Sequence, residues 1–218
     1  MNNLEAISER IREDFEARNA ARDQALQRSR TLTRHCANAI KAIHREEWEV
    51  ADARLETARQ AAAELIEGVR AYPDLYHTGY TQDALKEYVE AFVSYAMVRD
   101  LPLPEPEDLG IKFNTYLNGL AEATTEMRRR VLDIMRHDHD FAETERLLDV
   151  MDAVYDTLMT FDFPDAITGG LRRRTDTVRG VLERTRGDLT NSFRRQQLAD
   201  AISRLEARLD LDGADQAG

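Results

Sequence analysis

Cysteine occurs once in these 218 residues, at Cys36, which excludes an internal disulfide framework and any zinc site built on cysteines. Proline is scarce at five and glycine at ten, so few positions break a helix or call for a left-handed turn. No run approaches the ~20 apolar residues a bilayer span needs, and the first residues lack the apolar core of a signal peptide. The expectation is a soluble, cytoplasmic protein with no membrane partner. A glycine-rich phosphate loop is absent too. No Glu has a His three residues on, the pair that ferritin-like di-iron sites require. Lysine is limited to Lys41, Lys86 and Lys112, beside 27 arginines and 41 acids, a balance that points to a salt-rich cytoplasm.

What the chain does have is alanine, leucine, arginine and glutamate, a composition that favours long helices and little sheet. Leu4, Ile7, Ile11 and Phe15 open a helical pattern that continues through Leu26, Leu32, Ile40 and Ile43, predicting one helix of roughly 40 residues. Glu46-Glu47 marks a turn. A second helix runs from Trp48 and ends near Tyr72-Pro73, since proline disfavours helix in the residue before it. Tyr72–Tyr80 reads as a loop, with Thr81 as N-cap of a third helix. Pro102, Pro104 and Pro106 make 100–107 an extended link. Further helices are expected over about 108–136, 141–161 and from past Gly169-Gly170 to Leu209, with a turn at His137-Asp138-His139-Asp140. The expectation is an all-α bundle of six or seven helices, one domain over 1–209 with a frayed tail over 210–218. Helices this long carry apolar seams that one protomer cannot cover, so a homo-oligomer is expected.

The net charge of -11 argues against a uniformly basic, nucleic-acid-coating surface, yet charge is segregated. From Gln24 to Arg45 there is no acid, while Arg28, Arg30, Arg34, Lys41 and Arg45 are basic. A second basic stretch, Arg172 to Arg195, holds eight arginines against Asp176, Glu183 and Asp188. Either stretch can be a face for an anionic partner, or arginine stems covering apolar seams.

The acids are informative in one place. Tyr88 to Val98 reads YVEAFVSYAMV, with Glu90 its single charge and Glu87 three residues earlier. A carboxylate within an apolar helical run is costly to bury unless a cation or metal compensates it. Glu122 and Glu126, i and i+4 in the following long helix, make a second pair on one helical face. Converging carboxylates suit Mg²⁺ or Mn²⁺, which prefer hard oxygen ligands. Spacing alone decides nothing, because Glu46/Glu49 and Asp149/Asp152 share it, so interhelical ion pairs stand beside the metal reading. His137 and His139 read as solvated loop residues, and Cys36 as a small core residue.

Three segments resemble the translin family, and within it the translin-associated factor X (Trax) branch. Ser29-Arg30 and Ile43-His44-Arg45 lie in the first helix. Lys86-Glu87-Tyr88-Val89-Glu90-Ala91 is similar to the family's Gln-Glu-Tyr-Val-Glu-Ala, and Tyr116-Leu117-Asn118-Gly119-Leu120-Ala121-Glu122 to its Tyr-Leu-x-Gly-Val-Ala-Asp. The resemblance covers most of the chain and implies a translin-like helical bundle. It further implies a metal-dependent endoribonuclease acting on short single-stranded or duplex RNA inside a hollow homo-oligomer, a hexamer or octamer, with single-stranded DNA as another candidate ligand. On this resemblance Glu87, Glu90, Glu122 and Glu126 hold Mg²⁺ or Mn²⁺ and are catalytic. Arg30, Arg34, Lys41 and Arg45 become the nucleic-acid-binding stretch. Translin proper lacks acids at the first two positions; this chain keeps them. It departs at Glu122, where the family has Asp, moving that carboxylate by a methylene. The alternatives are a non-catalytic translin-like binding protein and an all-α nucleoside triphosphate pyrophosphatase.

Overall fold

The helical spacing that opens at Leu4 carries unbroken through 41 residues, and α1 spans Leu4–His44. The computed structural model describes residues 3–137 and 140–215, with side chains for 3–136 and 140–207. Five more long helices follow: α2 (Trp48–Gly68), α4 (Gly79–Val98), α6 (Phe113–His137), α7 (Phe141–Met159) and α9 (Leu171–Asp215). Three single turns, α3 (Pro73–Tyr76), α5 (Pro106–Leu109) and α8 (Asp165–Thr168), complete the described elements, and no strand occurs among the described residues. The protein is all-α, as composition and periodicity predict.

Boundaries differ from the sequence reading where local polar groups decide them. The 72–80 segment is not all loop: Pro73 opens α3, where its missing N–H costs nothing. Thr78, not Thr81, precedes α4, in extended conformation at φ -68° and ψ 150°. Thr81 is buried inside the first turn and its hydroxyl donates to the Leu75 carbonyl at 2.9 Å. The helix expected from Asp108 starts only at Phe113, because Gly110 takes a left-handed φ of 67° and closes α5. α7 begins behind Asp140, which accepts from the Glu143 N–H at 3.1 Å. Asp140 is thus a cap, while Asp138, His139 and the His137 side chain lie outside the described residues. α9 extends past Leu209 to Asp215, so the helix takes in part of the expected tail; 216–218 lie outside the described residues.

α1 and α2 form an antiparallel hairpin, with Arg28 donating to the Glu64 carbonyl at 3.1 Å. α4 and α6 instead run parallel. Thr115 donates to Gln82 at 2.6 Å, Gly119 abuts Val89, and Lys86 reaches Glu122, so the two helices climb together. A 20-residue helix is ~30 Å long. Returning from the end of α4 to the start of α6 in 14 residues needs extended chain at ~3.3 Å per residue, since helix would cover only ~21 Å. The proline-spaced 101–106 segment supplies it, pinned where the Tyr116 hydroxyl donates to the Pro104 carbonyl at 2.8 Å.

The core is a seam of Leu32, Ile43, Leu65, Leu85, Met127, Ile134, Leu147, Met151 and Leu171, each 2 % exposed or less. Cys36 belongs to it, fully buried. Two helices overrun this core. The buried positions of α1 start at Ala25, leaving Leu4, Ile11 and Phe15 exposed on its first half. Beyond Leu189, α9 likewise exposes Phe193, Leu198, Ile202 and Leu205. No helix among the described residues is long and apolar enough to cross a membrane.

Candidate active site

The acid-bearing helices meet at a glycine. A Cβ on Gly119 would lie 2.6 Å from Val89 Cβ and 2.9 Å from the Lys86 carbonyl oxygen, so only hydrogen fits there. Ala91, Ala121 and Ala123, all buried, extend the close approach. This junction sets Glu87 and Glu90 of α4 against Glu122 and Glu126 of α6, and the structure brings all four candidate ligands into one cleft.

Within the cleft the four acids are unequal. Glu90 is deepest, 8 % exposed. Burial pushes its carboxyl up to about 8, helped by the charges of Glu87, Glu126 and Glu122 and opposed by Lys86. Glu87 is raised as well, by burial first, with Lys86 pulling down and Glu122, Asp83 and Glu126 pushing up. Neither takes an ion pair among the described residues. Glu122 and Glu126 do. Glu122 accepts from Lys86 Nζ at 3.1 Å and Arg174 Nε at 3.2 Å. Glu126 accepts from His44 Nε2, with Arg129 at 3.8 Å.

The third wall is α1, through Cys36, Ile40 and His44. The Cys36 thiol is pushed up by burial and by the charges of Glu87 and Glu90, which holds it neutral and rules it out as a nucleophile. His44, Lys86 and Arg174 were not singled out as site residues from the sequence. Their contacts join positions 82, 36 and 52 residues apart; His44 and Lys86 lie inside the segments that carry the family resemblance, and no local pattern marks Arg174.

As placed, no three His, Cys, Asp or Glu groups among the described residues converge closely enough to hold an ion. The reason lies on the outer pair, turned toward the built-in cations. The donor set nevertheless suits a hard divalent cation: four carboxylates, of which the most buried lacks a counter-charge. An added cation would relieve that cost of burial, and Glu122 and Glu126 would exchange side-chain cations for it.

The predicted nucleic-acid residues form a line on the solvent face of α1, one flank of which adjoins His44. Arg30, Arg34, Lys41 and Arg45 are all exposed. At 100° per residue they fall within ~60° of one another on α1, opposite its buried face and next to the His44 side. Arg45 lies 4.0 Å from Glu47, and the other three take no ion pair among the described residues.

No family model matches the chain. An uncharacterized protein of Methanocaldococcus jannaschii is 32% identical over 195 residues, covering 88% of this chain and 85% of that protein. Among solved structures, the crystal structure of AfC3PO, a translin–Trax type of assembly, superposes with a TM-score of 0.80 at 32% identity, covering 87% of this chain and 98% of that one. The chain belongs to the translin family. A second AfC3PO structure, a complex with duplex RNA, matches with a TM-score of 0.75 at 34% identity over 87% of this chain and 97% of its own. Apo-NeC3PO, at 21% identity and a TM-score of 0.77, shares the fold.

Proposed function

We propose that this translin-family chain is a Trax-type endoribonuclease that binds RNA within a homo-oligomer and cleaves it with Mg²⁺ or Mn²⁺. The observation that carries the reading is Glu90, a buried carboxylate without a counter-charge beside three further carboxylates, in a chain similar to a protein whose structure holds duplex RNA. A divalent cation held by Glu87, Glu90, Glu122 and Glu126 would supply positive charge against a phosphoryl group and lower the pKa of a water. The chain's own residues do the rest. Glu87 and Glu90, raised by burial, would ionise on binding the cation and supply the negative charge that retains it. Lys86 and Arg174 hold Glu122 at the outer rim, and His44 orients Glu126 from the α1 side. Arg30, Arg34, Lys41 and Arg45 bind the phosphate backbone without reading sequence. The unpartnered apolar stripes of α1 and α9 supply surface for closing a cytoplasmic oligomeric shell.

The test is cleavage of labelled single-stranded and duplex RNA by the purified oligomer, with and without Mg²⁺, beside Glu90→Gln. The variant is expected to bind RNA and keep its oligomeric mass while losing cleavage; full cleavage by it overturns the nuclease reading. A second reading, RNA binding without catalysis, is favoured by one feature: Glu122 already pairs with Lys86 and Arg174, and Glu126 with Arg129 and the His44 ring nitrogen. Binding without cleavage across Mg²⁺, Mn²⁺ and Ca²⁺ would select it. Release of pyrophosphate from free nucleotides would select the pyrophosphatase instead.

A further inference from the structure

The second basic stretch of the sequence has no part in the cleft beyond Arg174. Its arginines divide into two sets on α9. Arg174, Arg179 and Arg186 are taken up by Glu122 at 3.2 Å, Glu183 at 3.0 Å and Asp152 at 2.6 Å. Arg172, Arg173, Arg184, Arg194 and Arg195 are exposed and take no ion pair among the described residues. Of these five, Arg173, Arg184 and Arg195 recur every eleven residues, which is three helical turns, so they stand within ~40° of each other at steps of ~16 Å. The same interval separates Arg30 from Lys41 and Arg34 from Arg45 on α1.

The position of the α9 line follows from its neighbours. Arg174 reaches Glu122 on the cleft rim, and Arg128 of α6 donates to Thr185 at 3.1 Å and Asp188 at 2.8 Å. α9 therefore packs on the side of α6 away from α4, and its unpaired arginines lie around the helix from those hydrogen bonds. Between α9 and the cleft, α6 exposes Thr125 and Arg129. A cation line thus runs on either side of the acids, on α1 and on α9. In a chain of net charge -11, exposed arginines left without acids at a fixed interval are free to take an anion from outside.

We propose that Arg173 and Arg184 of α9 form a second line of contact with a nucleic-acid backbone, parallel in role to the α1 line and across the carboxylate cleft from it. The anionic cleft repels phosphates where no cation fills it, so backbones follow the two lines and only the reacting phosphodiester crosses toward the acids. The α9 line rests on the RNA-binding reading and adds residues that reading does not use.

The test is the salt dependence of RNA binding by the full-length oligomer, with inactive Glu90→Gln as the parent. Removing one phosphate-neutralising side chain lowers the slope of log K against log salt by about 0.7 to 0.9. Arg173→Gln with Arg184→Gln is expected to weaken binding at least several-fold and to lower the slope by about 1.5. Arg179→Gln, an exposed arginine already paired to Glu183, leaves the slope unchanged. An unchanged slope in the double variant overturns the α9 line, as does a changed oligomeric mass with unchanged slope, which would assign these arginines to an interface between copies. Arg30→Gln with Lys41→Gln separates the two claims. If that pair lowers the slope and the α9 pair does not, only the α9 line fails; if the parent binds no RNA, the functional reading itself fails.

Discussion

Two carboxylates of α4 and two of α6 share one cleft and live by different rules. Glu90 is buried and Glu87 partly so, and neither is ion-paired among the described residues, so burial raises both carboxyls against the pull of nearby Lys86. Glu122 and Glu126, also partly buried, are ion-paired: Glu122 with Lys86 and Arg174, and Glu126 with Arg129, with His44 hydrogen-bonded to it. The inner pair stores a demand for positive charge, and the outer pair is held by cations that can be exchanged. Stability alone would favour matching all four or replacing the inner two with apolar residues. The asymmetry fits the proposed site for a divalent cation.

The largest expected effect comes from destroying the junction that creates the contrast. Gly119→Leu forces α4 and α6 apart at Val89 and Lys86, and should cost about 3 kcal/mol or more by overpacking, read as a drop in Tm. Next, the inner pair can be relieved of its charge. A carboxyl whose folded pKa is about 8 against an ordinary 4.5 binds more protons folded than unfolded between those values. It therefore subtracts stability as pH rises from about 4.5 to 8. With divalent cations chelated, Tm of the wild type should fall across this window more steeply than that of Glu90→Gln. Mg²⁺ should restore the wild type at the upper end of the window and leave the variant unmoved. Equal slopes for both proteins would mean that Glu90 is compensated in some other way.

A smaller effect is expected on the outer pair. Lys86→Met removes one of the two cations on Glu122 and the pull that Lys86 exerts on Glu87 and Glu90, and should cost about 1–2 kcal/mol in denaturant unfolding. Least is expected of Arg179→Gln, whose pair with Glu183 is fully in solvent: a Tm within about 1 °C of wild type marks the floor against which the cleft variants are judged.

The inner half of this contrast was legible in the sequence and the outer half was not. Glu90 stands alone in eleven otherwise uncharged residues, and burial of a helical run shows in its composition. Gly119 stood in the Tyr-Leu-Asn-Gly segment without stating what approached it. The distant partners of Glu122 and Glu126 come from α1, α4 and α9, and a single sequence does not show which distant positions become neighbours. Lys86 opens the segment that carries Glu87 and Glu90, yet its role depends on α6 lying parallel to α4. For the fold, long helices declared themselves by period, whereas α3, α5 and α8 are one turn each and too short to show one. Thr81 looked like a cap because its type suits capping, but its hydroxyl is spent on the Leu75 carbonyl.

The proline-spaced strap between α4 and α6 holds no acid or cation of the cleft, yet it decides their geometry. A tight turn after Val98 would send the next helix back antiparallel, and the two acid pairs would meet in the opposite order. By returning the length of α4 through the extended strap and the single turn α5, the chain resets α6 to the same starting level. Ten residues at ~3.3 Å and the four of α5 at ~1.5 Å could reach ~39 Å and need cover only ~30 Å, so the connection is slack. The level of the acids is therefore held by Gly119 against Val89 and not by tether length. This makes the 101–106 segment the place where the chain can gain or lose a residue, or be cut and rejoined elsewhere, with the cleft left intact.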